Sequence, residues 1–305
     1  MNSGSKRSGF GIFCGIMTGV CWGVSGVFGQ FLFENYGITE NWLVPIRLTT
    51  AGIVLLIYLF IKERADLVRL TRNKKDLAWT AVAGILGTMM FQLTFFGSVH
   101  RSNAGTATVL QYLAPVFILV YLCLRDRKAP TAREIVAIVL AVAGIFLIST
   151  HGNIHEMVMT PEALAWGIAC AFFMFLTTVL PEGLYKKYPT VVVTGWALLF
   201  GGVALNLIMR PWQYEAVWNL AVFISLFFII IGGSVAAYLF YASSIVHIGP
   251  EKASLCACIE PVTATVLSAL WLKTDFAIID LVGFVLIIIT VVILNTDHSG
   301  EGNNG

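Results

Sequence analysis

Long apolar segments alternate with short polar ones along almost the whole chain. Windows of about 20 residues, the length that crosses a bilayer as a helix, find ten such segments. They lie near residues 8–33, 40–61, 76–99, 105–124, 132–150, 161–181, 190–209, 217–243, 253–272 and 276–295. The longest connecting segment, Lys62 to Lys75, is too short to hold a soluble catalytic or nucleotide-binding domain. The pattern predicts an all-α integral membrane protein with ten transmembrane helices.

A stretch of the first half of the chain recurs in the second half. Residues 107–140 align without a gap on residues 253–286, at a constant offset of 146 residues. The alignment pairs Pro115 with Pro261 and Leu124 with Leu270. A repeat of this length inside apolar segments indicates a duplicated membrane unit.

The duplication divides the chain into two predicted five-helix domains, 8–150 and 161–295. A polar, glycine-rich tail follows at 296–305, and we predict that it is disordered in the cytoplasm. Because five is an odd number, the second domain must enter the membrane in the opposite sense to the first. Two inverted five-helix repeats around a site near the midplane are typical of secondary transporters.

Composition agrees with this class, and the charges orient the chain. Hydrophobic residues make up 58% of the chain, charged residues 12%, and the mean hydropathy is +0.84, which excludes an ordinary soluble domain. Fifteen of the 19 Lys and Arg residues precede the first segment or follow the second, fourth, sixth and eighth. The positive-inside rule therefore puts both termini in the cytoplasm. The net charge of +2 gives no indication of nucleic-acid binding, and anionic membrane lipid is a sufficient partner for the basic loops.

The sequence offers no pattern for a metal, a cofactor or catalysis. All six cysteines lie in predicted spans, where free Cys behaves as a small apolar residue, and Cys256 and Cys258 point in different directions on a helix. No P-loop or Asp-rich motif occurs, and the nearest acidic pair, Glu34 and Glu40, is expected on an outer loop without partners. We therefore predict that the protein is not an enzyme and holds no metal or cofactor.

Short motifs follow one another in a fixed order in both halves. In the first half they are Trp22-Gly23-Val24-Ser25, Arg47-Leu48-Thr49-Thr50-Ala51-Gly52, and the stretch from Gly84 through Phe95-Phe96 to Leu113-Ala114-Pro115-Val116. In the second half they run from Gly232 through Tyr238-Leu239-Phe240-Tyr241 to Ile259-Glu260-Pro261-Val262. The ordered set, over residues 8–295, resembles the EamA family of the drug/metabolite transporter (DMT) superfamily.

The resemblance implies a bundle in which helices one to four and six to nine surround a central cavity, with helices five and ten outside it. The residues support this arrangement, because 135–148 contain no polar side chain and 281–294 contain only Thr290. Such helices can face lipid or another subunit, but they could hardly line a hydrated path. If the protein forms a homodimer, we expect helices five and ten to form the interface.

Arg47 and Glu260 are the ionisable residues most clearly inside predicted spans. A charge in that position is costly unless it is paired, hydrated or neutralised. Glu260 could couple proton movement, receive a substrate ammonium, or cap backbone groups freed near Pro261. Arg47 could bind a carboxylate or phosphate of the substrate, or extend outward to the membrane interface.

The remaining candidates for substrate binding are neutral and are either amides or aromatic rings. They are Gln92, Gln111, Trp22, Phe95, Tyr112, Trp196, Tyr238 and Tyr241. The amides can donate and accept hydrogen bonds in a cavity, although one of them could merely bridge helices. The rings suit an amphipathic solute or, through their faces, a cation. For each ring the alternative is packing or an interfacial belt.

Glycine and proline suggest where the helices pack and move. Gly11, Gly15, Gly19 and Gly23 recur every four residues and form one smooth face, for static packing or for sliding during transport. Pro115 and Pro261 each remove a backbone donor within a span, which predicts either a kink or a gating hinge.

Together these features predict a secondary active transporter that moves a small polar or amphipathic metabolite across the plasma membrane by alternating access, without ATP. One embedded acid and one embedded base suit a zwitterion, so we expect an amino acid or a related amine. Export is the expected direction because many members of the family are exporters. The alternatives are a nucleotide-sugar or phosphate-ester carrier of the same superfamily, for which Arg47 alone is little positive charge, and a lipid scramblase or flippase.

Overall fold

The protein is helical throughout the part of the chain that its computed structural model describes, residues 3–153, 157–215 and 217–301. The helices of the first half are α1 (Ser3–Tyr36), α2 (Glu40–Lys62), α3 (Arg64–Arg72), α4 (Lys74–Ala83), α5 (Met90–Arg101), α6 (Ala104–Gln111), α7 (Ala114–Asp126) and α8 (Ala132–Thr150). Those of the second half are α9 (Pro161–Val179), α10 (Glu182–Tyr185), α11 (Thr190–Met209), α12 (Leu220–Phe227), α13 (Ala237–Ile248), α14 (Pro250–Ala257), α15 (Glu260–Trp271) and α16 (Ile278–Glu301).

Nine helical segments of the described chain are long and apolar enough to cross a membrane, and a tenth apolar helix, Ile278–Leu294, is shorter. They coincide with the ten segments predicted from hydropathy, and their ends differ by a few residues at most. The prediction of an all-helical, multi-pass membrane protein is confirmed. The ends are defined locally, as at α8, where Thr131 and Glu134 form a reciprocal capping box.

Two of the spans are broken near their middle. The fourth is divided into α6 and α7 at Tyr112, and the ninth into α14 and α15 at Cys258, with ψ angles of 4° and 0° at these two residues. Pro115 and Pro261 lie in the first turn of the helix that restarts, where their missing N–H has no helical partner to lose. Each helix ends before its proline and starts again, so the prolines lie beside a break in the span; a gating hinge at these positions stays a prediction.

The third and eighth spans each contain a π-helical segment. The first, Gly84–Met89, joins α4 to α5, and the second, Phe228–Ala236, joins α12 to α13. The breaks at Tyr112 and Cys258 are 146 residues apart, which is the offset of the repeat. The ends of the two π-helical segments, Met89 and Ala236, are 147 residues apart. Irregular turns therefore occur at matching positions in the two halves, and π-turns in helices are frequent at functional sites.

The glycine face of α1 packs tightly against α13, α14 and α15. A Cβ atom added at Gly19 would collide with the carbonyl of Ala257, and one added at Gly23 would lie 2.9 Å from the carbonyl oxygen of Glu260. Because the contacts are to backbone, the glycines allow α1 to approach the broken ninth span directly. The two interpretations of the pattern, static packing and sliding during transport, both require this close approach.

The helices of the fifth and tenth spans, α8 and α16, pack on each other, and none of their side chains described as far as Leu294 lines the central cavity. A Cβ at Gly144 would lie 2.9 Å from the carbonyl oxygen of Gly283, and a Cβ at Gly283 equally close to that of Gly144. Thr290 donates a hydrogen bond to the carbonyl of Ala137 at 3.1 Å. At the offset of 146, the pair Ala137–Thr290 corresponds to Gly283–Gly144, so the packing of these two helices follows the duplication.

Helix α16 continues to Glu301, six residues beyond the predicted end of the second domain. The first part of the predicted tail, residues 296–301, is helical in the structure. The sequence allows this, because no Pro or Gly interrupts residues 284–299. The rest of the predicted tail, 302–305, lies outside the described residues.

Candidate functional site

A cavity of about 460 Å³ lies inside the bundle. Its wall combines residues of α1, α2 and α5 with residues of the two broken spans and of α9, α11 and α13. One end reaches the protein surface, where the exposed residues Tyr185 and Pro250 line it. We call this end the mouth, and the opposite end of the bundle the closed end.

Arg47 lies on the cavity wall with its side chain almost completely buried, at 3% exposure. Its Nε donates to Ser234 Oγ at 2.9 Å, its Nη1 to Gln92 Oε1 at 2.9 Å, and its Nη2 to the carbonyl of Gly233 at 3.2 Å. The guanidinium carbon also lies 4.8 Å from the centre of the Phe96 ring. The alternative that Arg47 extends outward to the interface is therefore wrong, because these partners hold it inside the bundle.

Glu260 is the first residue of α15, directly after the break in the ninth span, and is 4% exposed. Its Oε1 accepts a hydrogen bond from Gln111 Nε2 at 2.7 Å, and its Oε2 accepts one from the Tyr112 hydroxyl at 3.3 Å. The Tyr112 hydroxyl also lies 3.3 Å from the carbonyl of Ala257. The carboxylate bonds these side chains rather than freed backbone groups near Pro261, so the capping alternative is wrong.

Arg47 and Glu260, both described and both on the wall of the same cavity, form no ion pair with each other. All their side-chain partners are neutral: an amide and a serine hydroxyl for Arg47, an amide and a phenol for Glu260. Gln92 and Gln111 therefore each orient one buried charge, besides lining the cavity themselves. The cavity therefore presents a guanidinium and a carboxyl group, and neither is in contact with an oppositely charged side chain among the described residues.

Aromatic rings form much of the remaining wall. Trp22 packs edge-on to Tyr238, with ring centres 6.0 Å apart. The centre of the Trp22 ring also lies 5.6 Å from that of Tyr241. Phe95 and Phe91 lie beside each other at 6.3 Å. These rings, with Tyr112, line the cavity, so the structure brings most of the predicted binding residues together.

Trp196 is the exception among the predicted binding residues. It does not line the cavity but stacks on Phe200, with ring centres 5.4 Å apart. The face of α11 toward the cavity carries Val193, Thr194 and Ala197 instead, and Trp196 and Phe200 form a neighbouring face at a four-residue spacing. The prediction that Trp196 binds substrate through the cavity wall is therefore corrected.

Several lining residues were not predicted, because single hydroxyl groups in an apolar segment carry little signal. Thr88, Thr177, Thr190 and Thr194 line the cavity. Ser25 lines it too, and its buried hydroxyl has no hydrogen-bond partner. The position of Ser25 in the Trp22-Gly23-Val24-Ser25 motif was the available signal.

The closed end carries a network of charges that links three spans. Glu40, at the start of α2, bonds His100 Nδ1 at 2.6 Å and Arg101 Nη1 at 2.8 Å, both at the end of α5. Arg101 also bonds Glu162 of α9 at 2.6 Å and lies over the Trp166 ring. The expectation that Glu40 has no partners is wrong, because the folded bundle brings the end of the third span beside it.

The fold and the site define a class: a helical, multi-pass membrane protein with a polar and aromatic cavity inside the bundle and, within the described residues, no cluster of side chains placed to hold a metal ion. A family model for EamA-like transporters matches the chain twice, at residues 9–150 and 162–296. The chain belongs to the EamA-like transporter family, within the DMT superfamily, and is a membrane transporter.

Individual relatives agree with this assignment. An uncharacterized inner membrane transporter of Salmonella typhimurium, YicL, is 33% identical over 286 residues, which cover 92% of this chain and 94% of the relative. The uncharacterized transporter YyaM of Bacillus subtilis is 23% identical over 80% of this chain and 81% of its own length. A protein crystal structure superposes with a TM-score of 0.61 over 98% of this chain and 99% of that chain, at 16% identity, so the two share a fold.

Proposed function

We propose that the protein exports an amino acid or a related amine across the plasma membrane by secondary active transport. The observation that carries the proposal is the placement of Arg47 and Glu260 on one cavity wall, each held by neutral partners and not by the other. A zwitterion supplies the missing opposite charge to both, its carboxylate to Arg47 and its ammonium to Glu260.

The rings that line the same cavity suit the rest of such a molecule. Trp22, Phe95, Tyr238 and Tyr241 offer apolar surface to a side chain and ring faces to a cation. A cavity of about 460 Å³ has room for a single small metabolite with some water. A phosphate ester would meet only one guanidinium, which already donates three hydrogen bonds to the protein.

Glu260 is the proposed coupling residue, because either a proton or a substrate ammonium can neutralise a buried carboxylate. Competition between the two for one group makes transport an exchange, in which substrate leaves as a proton enters. Gln111 and Tyr112 hold the carboxylate toward the cavity, where either a proton or the substrate ammonium can reach it.

We propose further that the two halves are inverted five-helix repeats that alternate access to this cavity. The matched breaks at Tyr112 and Cys258 and the matched packing of α8 and α16 support the duplication. The mouth lies beside the loops that carry Lys186, Lys187 and Lys252, which the positive-inside rule assigns to the cytoplasm. A mouth on that side is suited to loading an exported solute.

The test is flux from proteoliposomes loaded with one solute class at a time: amino acids, their decarboxylated amines, nucleosides or sugar phosphates. An inward proton gradient should drive efflux of amino acids or amines, and Glu260→Gln should abolish the effect of the gradient. Glu182→Gln, the same change at an exposed residue, is the control and should behave as wild type. Efflux of sugar phosphates alone, or movement of labelled phospholipid alone, would replace the proposed substrate by the phosphate-ester or the lipid alternative.

A further inference from the structure

We propose that Gln30 gates the route by which the solute leaves, and that this route runs from the cavity to the closed end between α1, α6 and α15. The proposal rests on the proposed function, because a second route is needed only if the solute crosses the membrane. It concerns Gln30 and its hydrogen-bond partners at the closed end, which do not line the cavity.

Gln30 is 1% exposed and uses every hydrogen-bonding position of its side-chain amide. Its Nε2 donates to Glu34 Oε1 at 2.7 Å and to Thr274 Oγ1 at 3.0 Å. Its Oε1 accepts from the backbone N–H of Ala104 at 2.9 Å and from Ser268 Oγ at 3.1 Å. One side chain of α1 therefore joins the first residue of α6 to the far end of α15.

The same pair of helices is joined a second time at the cavity. There Gln111 of α6 donates to Glu260 of α15. Ala104 lies seven residues before Gln111, and Ser268 eight residues after Glu260, so the two connections are about 10–12 Å apart along the helices. The seam between α6 and α15 is thus held at the substrate site and again at the closed end.

Small and hydroxyl-bearing residues line the seam between these two connections. A Cβ at Gly26 would lie 3.6 Å from the Ala104 Cβ, and a Cβ at Gly105 would lie 2.9 Å from Thr265 Oγ1. Thr108 lies one turn from Gly105 on α6 and is fully buried. The hydroxyls of Thr108 and Thr265 have no hydrogen-bond partner, although buried polar groups nearly always have one. Water or solute in an opened seam would supply the missing partners.

The other side of the closed end, where Glu40 joins α2 to α5, is also filled by large apolar side chains. Leu32, Leu43 and Phe96 are fully buried there, and Phe33 packs edge-on to Phe96 with ring centres 6.1 Å apart. Opening this side would expose large apolar side chains to water. Opening the seam exchanges four hydrogen bonds of Gln30 for hydrogen bonds to water, each worth little in net terms. The seam is therefore the side that opens.

The test measures access to position 108 from the closed end. A membrane-impermeant maleimide is added to right-side-out and, separately, to inverted vesicles containing Thr108→Cys, and the peptide carrying position 108 is quantified by mass spectrometry. Thr108→Cys removes a hydroxyl that has no partner, so it should leave the fold intact. We expect Gln30→Met to raise the labelling rate from the closed end at least tenfold, and Ser268→Ala, which removes one bond of four, to raise it about fivefold.

Two comparisons separate gating from general loosening. Gln213→Met makes the same substitution on a short turn that follows α11 at the closed end, and it should leave labelling unchanged. Val44→Cys replaces a buried residue of α2, away from the seam, and its labelling should not respond to Gln30→Met. Unchanged labelling of position 108 in both Gln30→Met and Ser268→Ala, or an equal rise at positions 108 and 44, would overturn the proposal. Because labelling needs no solute, this result is independent of the flux experiment that tests the substrate class.

Discussion

At the scale of single residues, the site depends on neutral side chains that hold charged ones in place. Gln92 and Ser234 accept hydrogen bonds from Arg47, and Gln111 donates one to Glu260. The protein therefore solvates both the guanidinium and the carboxyl group in this structure. Such polar partners reduce the cost of burying an ion without neutralising it. The arrangement leaves both charges available to a ligand.

The lengths of the two hydrogen bonds to Glu260 predict unequal roles for their donors. The Gln111 bond is 2.7 Å long and the Tyr112 bond 3.3 Å, so Gln111 should fix the carboxylate more firmly. Gln111→Met should weaken substrate binding about tenfold, because a short hydrogen bond to a carboxylate belongs to the stronger class. Tyr112→Phe should weaken it about twofold or less, because the bond that it removes is longer and weaker. Titration calorimetry on both variants checks the order; a larger loss in Tyr112→Phe would contradict it.

Arg47 and Glu260 could be predicted from the sequence, because a charge inside an apolar segment is conspicuous. Their contacts with particular neutral side chains could not. Ser234, which accepts a hydrogen bond from Arg47, is a single hydroxyl among apolar residues, and nothing along the chain indicates that contact. Trp196 is the reverse case, because the sequence predicts it as a binding residue but it does not line the cavity. It stacks on Phe200, on a face of α11 that does not point into the cavity.

At the scale of elements, the close approach of α1 to the broken ninth span positions Glu260. The break at Cys258 ends one helix and places Glu260 at the start of the next, and the glycine face of α1 packs against both sides of the break. An added methyl group at Gly19 or Gly23 would disturb this packing, because the nearest contacts include backbone atoms. Backbone atoms, unlike the end of a flexible side chain, cannot move to another rotamer.

The glycine face offers a matched pair of substitutions. A Cβ at Gly19 would collide with backbone around Ala257, whereas a Cβ at Gly9 would meet nothing within 4 Å. Gly19→Ala should therefore lower stability by about 1–3 kcal/mol. Gly9→Ala should leave stability unchanged or raise it slightly, because alanine favours the helix. Melting temperatures of the two purified variants check this, and equal melting temperatures would show that α1 does not pack as described.

The spans were predictable from hydropathy because length and apolar character are properties of contiguous residues. The breaks were only half predictable. Pro115 and Pro261 marked the places, but a proline in the first turn of a new helix and one that kinks a continuous helix have the same local sequence. The π-helical segments had no signal in the sequence analysis at all.

At the scale of the whole molecule, one end of the cavity is open and the other is held shut by polar contacts. Besides the hydrogen bonds of Gln30, the network of Glu40, His100, Arg101 and Glu162 joins α2, α5 and α9 at the closed end. These contacts hold the closed end shut in this structure, and under the proposed alternating access they would have to break when that end opens. Neither set of contacts was foreseen, since each joins residues from distant parts of the chain.

Within the charge network, burial predicts which acid matters more. The side chain of Glu40 is 4% exposed and that of Glu162 is 64% exposed, although both bond Arg101. Glu40→Gln should cost about 2 kcal/mol, because it weakens two charge-assisted hydrogen bonds of an almost fully buried side chain, whose partners His100 and Arg101 are themselves partly exposed. Glu162→Gln should cost about 0.5 kcal/mol, as for other exposed pairs. Denaturation in detergent measures both, and a greater loss in Glu162→Gln would contradict the role given to Glu40.

The central claim is that Arg47 and Glu260 recognise opposite ends of one molecule. The most direct measurement is ligand-induced thermal stabilisation of wild type, Arg47→Lys and Glu260→Gln. The ligands are each amino acid, the amine that lacks its carboxylate, and the acid that lacks its ammonium. We expect the largest shift for an amino acid with wild type, a selective loss for carboxylate-bearing ligands in Arg47→Lys, and a selective loss for ammonium-bearing ligands in Glu260→Gln. Equal loss of all three ligand types in both variants, or no shift for any ligand with wild type, would contradict it.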